Sequence, residues 1–402
     1  MVTPGHLSCN KPMWRTSVDK AYERKNVLIT GATGFIGSML LKTLSEKLEG
    51  IGRIYCLYHT TPPSQAYAHD KRVVWIKGDI RKENWDIATS WLQEIRKDVD
   101  IVFHLAAYTR WDTDIQDQVH ANTLSALQGA TLVATFEKRA LFLVTSSYWA
   151  LCNRSATEHI EERIYQDSTA ESELEEIVTK GGSARLSEWP NAYAYSKNLM
   201  ERLLHQRYPH LPIMVARITS VTGAWAYPSK GYCNFSISLP AFIRSIALGG
   251  VKHFPVSMKT AINDMIPVDI CVNMLLANAV DPSNSLFQVV HCSSATRNIP
   301  TLGQVAEMAG HISYFENQYE FDEALAHLNE KQAKLNRVIV EAYGFAMENR
   351  FIFNDAQVRR PLQWMSQDAL AKFPIDVEEL EWTAIIAAMK KELSLLATAR
   401  AA

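Results

Sequence analysis

What this chain lacks narrows its function before any motif is considered. Its six cysteines (Cys9, Cys56, Cys152, Cys233, Cys271 and Cys292) are scattered singly, without the paired spacings that build zinc sites or disulfide frameworks. A reducing, cytoplasmic compartment is the expectation, with no metal set. No long basic run occurs, and 41 Lys and Arg nearly balance 43 Asp and Glu for a formal charge of −2. Nucleic acid, which calls for a concentrated positive face, is a poor partner for such a chain. Nowhere do about 18 uncharged apolar residues run together, so no membrane span is expected. The N-terminus carries Lys11, Arg15 and Lys20 but no apolar core of signal-peptide length. One stretch, WTAIIAAMKKELSLL (382–396), mixes an apolar run with two lysines. It suits either peripheral contact with a membrane or, the stronger expectation, a C-terminal helix packed on its own domain. Internal repeats and low-complexity tracts are absent.

What is present is a rhythm. Residues 1–24 show no sustained period and suggest a surface arm. From Asn26 short apolar or β-branched runs alternate with helix-length intervals: VLIT (27–30), RIYCLY (53–58), VVWIK (73–77), DIVFHLA (100–106), LFLVTS (141–146) and PIMVAR (212–217). Strands apolar enough to be buried on both faces, separated by helices, imply an α/β fold with a doubly wound parallel sheet. Between Asn153 and Pro190 the composition turns polar and acidic, as in ESELEE (171–176), which suggests a surface insertion over 153–190. After Arg217 the rhythm is lost, and the remainder reads as mostly helical, with a long polar helix near 321–345. The expected division is a nucleotide-binding domain over 25–290 and a smaller, mostly helical C-terminal domain over 291–402.

The segment TGATGFIG places Gly31, Gly34 and Gly37 three residues apart, directly after the first strand and before an amphipathic helix. Glycines there permit a tight turn and let the backbone of Thr33, Phe35 and Ile36 and the helix N-terminus approach a pyrophosphate, as in Rossmann-type dinucleotide sites. After the second strand an acidic residue would select NADH by binding the ribose 2′-hydroxyl. Here Tyr58 and His59 stand instead, with no acid, so NADPH is the expected cofactor and NADH stays open. Asp79 and Ile80 follow the third strand, and Leu105, Ala106 and Ala107 follow the fourth, positions suited to the adenine and to close approach by the cofactor. Asp79 as a plain helix N-cap is a comparable alternative.

NAYAYSKNLMERLL (191–204) sets Tyr193 and Lys197 four residues apart, on one face of a helix. A phenol ordinarily titrates near pH 10, and a neighbouring ammonium lowers that by favouring the phenolate, so the pair makes a usable proton donor. Tyr195 competes for notice but has no lysine four positions on. A hydroxyl to orient a substrate oxygen is expected from the end of the fifth strand, where VTSSYW (144–149) supplies Thr145, Ser146 and Ser147. Ser146 is the first choice and Thr145 the second. Asn122 sits near the middle of the preceding helix, where it either orders a water against Lys197 or faces solvent.

Assembled, these pieces resemble the extended short-chain dehydrogenase/reductases, and within them the fatty acyl-CoA reductases and related thioester-reductase domains. The resemblance runs from about residue 26 to 393. It rests on TGATGFIG, VFHLAAYTRWD (102–112), HIEERIY (159–165), NAYAYSK (191–197) and DMIPVDICVN (264–273), and continues through FIFN (351–354) and FPIDVEELEW (373–382). It implies that Tyr193 and Lys197 are catalytic with Ser146 as the third member, and that Gly31, Gly34, Gly37, Asp79 and Arg217 lie on the cofactor side. Where that family carries an arginine after the second strand, this chain has His59; the proline expected after Arg217 is Ile218.

By the same resemblance the expected substrate is a thioester, on CoA or a carrier protein, reduced by NADPH to an aldehyde or primary alcohol, with the acyl chain between the sheet and the C-terminal domain. Phe351, Phe353, Phe373 and Trp382 are candidates to line its channel, or to pack the small domain's core. The same catalytic groups would serve a terpenoid, steroid or polyketide ketoreductase. A catalytically silent dinucleotide sensor is a third reading, with no use for an intact tyrosine, lysine and serine.

Overall fold

The computed structural model describes residues 17–61, 63–154, 159–165, 167–295, 297–348 and 351–401. Seven strands form one wholly parallel sheet: β1 (Val27–Thr30), β2 (Ile54–Tyr58), β3 (Val73–Lys77), β4 (Ile101–His104), β5 (Leu141–Ser147), β6 (Ile213–Ile218) and β7 (Phe287–Cys292). Their spatial order is β7-β6-β5-β4-β1-β2-β3. The order reverses between β1 and β4, and that switch point opens a crevice at the C-terminal ends of the strands.

Successive strand residues point to opposite faces, and each face has its own core. Ile29, Cys56, Phe103, Leu143 and Met214 pack on one side with α1 (Phe35–Lys47) and α6 (Val268–Ala279). Leu28, Tyr55, Val102, Phe142 and Val215 pack on the other with α2 (Thr89–Asp98), α3 (Ser125–Val133) and α5 (Ala192–Arg207). This double burial is why the strands read as continuous apolar runs rather than alternating ones.

Several expectations change. Residues 1–16 of the expected arm lie outside the described residues, but Val18–Tyr22 is a short helix with Val18 and Tyr22 buried in the core, and the Tyr22 hydroxyl donates to Leu276 O at 3.0 Å. β7, past the point where the rhythm fades, completes the sheet. The long helix near 321–345 is two helices, α7 (Gln318–Ala326) and α8 (Glu330–Glu348). The segment 153–190 contains α4 (Ala170–Lys180), which Gly181 ends in a left-handed turn at φ 83°. It docks on α5 through Glu173, buried and bound to Arg202 at 2.5 Å. A two-residue parallel pairing of His159–Ile160 with Ile352–Phe353 ties this segment to the C-terminal part.

The C-terminal helix α9 (Trp382–Ala401) buries Trp382, Ile385, Ile386, Met389 and Leu393 in the same core as β1 and α1, with Met389 against Thr222 and Gly223, so it packs across the expected boundary near 290. Among the described residues no helix is long and apolar enough to cross a membrane.

Candidate active site

A cavity of about 460 Å³ occupies the crevice at the switch point. Thr30, Gly31 and Thr33 line it from β1 and its turn, His59 from β2, Asp79 and Ile80 from β3, and Ala106 and Ala107 from β4. The expected Gly31, Thr33, His59, Asp79, Ile80, Ala106 and Ala107 therefore meet in one place with Tyr58, and Thr30, Thr60, Arg81, Tyr108, Asp117 and His120, not singled out from the sequence, join them.

The glycine turn is built for close approach. Gly31 has φ +76°, and a Cβ there would lie 2.7 Å from Ala106 N and 2.9 Å from Leu105 C, so any side chain would force β1 and β4 apart at the crevice. A Cβ on Gly37 would lie 2.0 Å from Gly31 O, closing off the start of α1. Gly34 sits at the N-cap of α1 and offers no side-chain cap, which leaves first-turn N–H groups for an anion. Phe35 and Ile36 turn their side chains into the core and bring only backbone to the turn. Thr30 Oγ1 accepts from Ala106 N–H at 3.2 Å and meets His104 Nδ1 at 2.9 Å, fastening the loop after β4. Burial and the nearby Lys197 charge push the His104 imidazole down to about 3, so it is neutral. A cradle that a Cβ would fill, followed by an uncapped helix, fits the pyrophosphate of a dinucleotide.

Asp79 is not a helix N-cap. Its carboxylate accepts from the backbone and guanidinium of Arg81 at 2.8 to 3.0 Å, and His59 Nε2 lies 3.5 Å away. Arg81 holds that carboxyl down at about 2. The cavity rim thus carries a carboxylate with a cation on one side and an ionisable ring on the other.

The candidate catalytic groups sit at the end of β5. Lys197 is buried and donates to Thr145 O at 2.8 Å. Burial lowers its ammonium to about 8, Glu201 partly opposing. Tyr193, partly buried at the start of α5, has its phenol pushed up by desolvation, and the group that opposes the rise is the hydroxyl of Ser147. Here the structure departs from expectation twice. The influence drawing the phenol down is Ser147 rather than Lys197, and the serine beside the tyrosine is Ser147 rather than Ser146.

Ser146 donates instead to Glu201 Oε1 at 2.5 Å, and Arg217, its neighbour across the β5–β6 register, clasps the same carboxylate at 2.6 to 3.1 Å. Arg217 is fully buried, and it also donates to Glu161 O and Arg163 O and meets His291 Nε2 at 3.0 Å. All its reach is spent joining β6, β7 and the loop after residue 160, so it is not on the cofactor side. Thr145 Oγ1 donates to His104 O at 3.2 Å.

Asn122 neither faces solvent nor has a free amide. It is buried in a π-helical turn (Val119–Leu124), accepts from Tyr108 N–H at 2.8 Å and donates to Tyr108 O, Gln118 and Ser196. It fixes the loop after β4 against α5, with both amide N–H groups spent on these partners. Tyr195 is structural: its hydroxyl donates to Glu173 and its ring stacks on Trp189 at 4.6 Å.

Immediately after Ser147 an aromatic cleft begins. Tyr148, Trp149, Phe345, Phe351 and Phe353 line it together with Asp264. Trp149 lies 5.1 Å from the exposed Trp111 and 5.4 Å from Phe345, which stacks on Phe351 at 5.6 Å. Of the four aromatics named as channel candidates, Phe351 and Phe353 are here. Phe373 and Trp382 are packed in the core instead.

Comparison with known proteins adds the following. A family model described as male sterility protein, an NAD-binding domain, matches residues 29–275. Fatty acyl-CoA reductase 1 of Gallus gallus is 26% identical over 291 residues, covering 65% of this chain and 56% of that protein. Fatty acyl-CoA reductase 1 of Xenopus laevis is 28% identical over 322 residues, covering 72% and 61%. The chain thus spans about three-fifths of the length of these relatives. Among solved structures, the terminal R domain from the myxalamid PKS-NRPS pathway superposes with a TM-score of 0.67 at 17% identity, covering 93% of this chain and 91% of that one.

Proposed function

The chain belongs to the male sterility protein family, and on that premise we propose that it is an NADPH-dependent reductase of a long-chain acyl thioester, yielding an aldehyde or primary alcohol. The observation that carries this reading is the placement of Tyr193 and, one helical turn on, the buried Lys197 at the hydroxyl-bearing end of β5, where Lys197 donates to Thr145 O at 2.8 Å. The aromatic residues that begin immediately after Ser147 enclose only about 20 Å³, an apolar wall for the carbons next to the carbonyl and not a formed channel for a long chain. The likeness to fatty acyl-CoA reductases supports the thioester.

The residues at the crevice fit a dinucleotide: the turn Gly31–Gly37 for its pyrophosphate, Asp79 and Ile80 for the adenine end, and Lys197 for the nicotinamide ribose. When bound in reduced form that group supplies a hydride to the carbonyl carbon. Ser147 and Tyr193 hydrogen-bond the carbonyl oxygen, and both bonds strengthen as negative charge develops on it. Tyr193 gives its proton to that oxygen, and the Lys197 ammonium stabilises the phenolate left behind. Collapse of the hemithioacetal expels the thiol and gives an aldehyde, which can take a second round in the same site. NADPH preference is supported by His59 and Arg81 on the rim and by the absence of a carboxylate directly after β2.

Oxidation of NADPH and NADH against acyl-CoAs of increasing chain length, with thiol detection and mass spectrometry of the product, tests the proposal. Thiol release matched to cofactor oxidation supports it; turnover of ketones with no thiol release at any chain length overturns it.

A further inference from the structure

A second cavity, of about 350 Å³, lies beyond the turn that follows β5. Its lining includes three arginines, Arg154, Arg163 and Arg185, with Tyr165, Asp167 and Asn198. The proposed chemistry at Ser147, Tyr193 and Lys197 uses none of them.

The charges are unevenly spent. Asp167, the acid on the wall, is bound by Arg185 at 2.8 Å and by Arg202 at 2.5 Å. Burial alone would raise its carboxyl, yet these partners draw it down to about 2, so it stays ionised and fully engaged. Arg185 is further occupied by Glu173 and Glu188. Arg163 differs. Its guanidinium lies 4.1 Å from the Tyr165 ring centre, and that of Arg154 lies 4.4 Å from the same ring. Among the described residues Arg163 meets no carboxylate and donates no side-chain hydrogen bond. A ring under a guanidinium engages its flat face and leaves the N–H edge available.

Position supplies the ligand. Asn198 follows Lys197 directly on α5, and Arg154 leaves the turn that begins at Ser147. The cavity is therefore built on the same two elements that carry the catalytic groups. The aromatic residues after Ser147 offer a wall to the apolar side of the thioester; its other side, the thiol, carries a phosphorylated pantetheine arm whether the donor is CoA or a carrier protein. We propose that this arginine cavity is a phosphate-binding subsite that holds the phosphate end of that arm, with Arg163 as its principal contact. The proposal rests on the thioester reading above.

The subsite is tested by direct binding to the intact chain, independently of turnover. Calorimetric titration with CoA and with pantetheine, which lacks every phosphate, is expected to give tighter binding of CoA. Arg163→Gln should weaken CoA by about tenfold, as loss of one charge-assisted hydrogen bond does, and leave pantetheine unchanged. Arg163→Lys, which keeps the charge without the planar stack, should recover part of the loss. Equal binding of CoA and pantetheine, or of CoA by wild type and Arg163→Gln, would overturn the subsite.

Kinetics separate this outcome from failure of the thioester reading. Arg163→Gln should raise KM for an acyl-CoA about tenfold with kcat within twofold, and should not alter either constant for the same acyl group on N-acetylcysteamine. A matching rise with acyl-phosphopantetheine assigns the contact to the phosphate shared by CoA and carriers, and a rise confined to acyl-CoA assigns it to the nucleotide phosphates. Both outcomes support a phosphate subsite. An identical change with N-acetylcysteamine thioester refutes it, whereas CoA binding that needs Arg163, without turnover of any thioester, leaves the subsite standing and removes the reductase.

Discussion

Replacing Ser147 and Ser146 by alanine, one at a time, sets two adjacent hydroxyls against each other. If Ser147 shares the substrate oxygen with Tyr193, its loss removes one donor from the developing oxyanion. Such a donor is worth about 10²–10³ in kcat, or about 2.7–4 kcal/mol. Because, among the described residues, Ser147 otherwise accepts just a long 3.3 Å bond from Trp149 N–H, stability should change little. Ser146→Ala has the opposite signature. It removes a buried 2.5 Å bond to Glu201, but Arg217 still holds both carboxylate oxygens, so no buried charge is orphaned. A net loss of about 1 kcal/mol in unfolding free energy is expected, with kcat within a few-fold of wild type. The assays are NADPH oxidation with a saturating acyl-CoA and urea denaturation of each variant. Should Ser146→Ala lose 10²-fold in kcat at unchanged stability while Ser147→Ala stays active, the placement of the site on Ser147 would be wrong.

Tyr193→Phe should reduce kcat by at least about 10²-fold, the usual worth of a positioned general acid, while dinucleotide affinity, followed by fluorescence titration, stays within a few-fold. Burial holds the Lys197 ammonium to about 8; its charge is therefore present below that pH and lost above it, and kcat should fall as pH rises through about 8, a flat profile to pH 9 counting against the role. Arg81→Ala should weaken NADPH by about tenfold relative to NADH if Arg81 turns toward a 2′-phosphate, and equal weakening of both cofactors would limit Arg81 to holding Asp79. Burial raises the Glu162 carboxyl to about 7, against the pull of backbone N–H groups of Gln357, His291 and Val358. Its folded value lies above the unfolded one near 4.3, so its favourable contribution is complete below about pH 4 and lost as pH rises through about 7; Glu162→Gln should flatten the pH dependence of thermal stability across that window.

The sheet was legible in the sequence through β6 because most of its strands are buried on both faces and read as short apolar runs at helix-length spacing, a pattern few other arrangements produce. β7 escaped notice for a physical reason. FQVVHC is as long as the strands that were found, but between it and β6 the chain runs through short two-stranded pairings and turns as well as α6, so the regular strand–helix alternation no longer pointed to it. The glycine turn was legible because its conformation is local: a positive φ at Gly31 and the contact of Gly37 with Gly31 O are settled within seven residues. Arg81 was not, although it stands only two positions beyond Asp79. Its importance comes from the cavity that β2, β3 and β4 close around it, and no local signal announces that. Asn122 was noticed for being unfavourable mid-helix, but its partners are 14 and 74 residues away, at Tyr108 and Ser196.

The displacement from Ser146 to Ser147 is the most instructive of these differences, because β-strand geometry allows no intermediate answer. Neighbouring residues on β5 face opposite sides, so shifting the assignment by one position moves a hydroxyl to the other side of the sheet. Composition cannot choose among Thr145, Ser146 and Ser147, all of which end in a hydroxyl at the same strand end. What does choose is the charge on the two sides. Ser146 is aligned with Arg217 on β6, and a fully buried guanidinium demands a carboxylate, which Glu201 supplies one turn beyond Lys197. Once Glu201 and Arg217 are paired there, Ser146 is claimed as the carboxylate's remaining donor, and only Ser147 is left to meet Tyr193. The pair also restrains α5 directly behind the catalytic lysine. The ion pair that looks idle from the active site is therefore what determines which serine enters it.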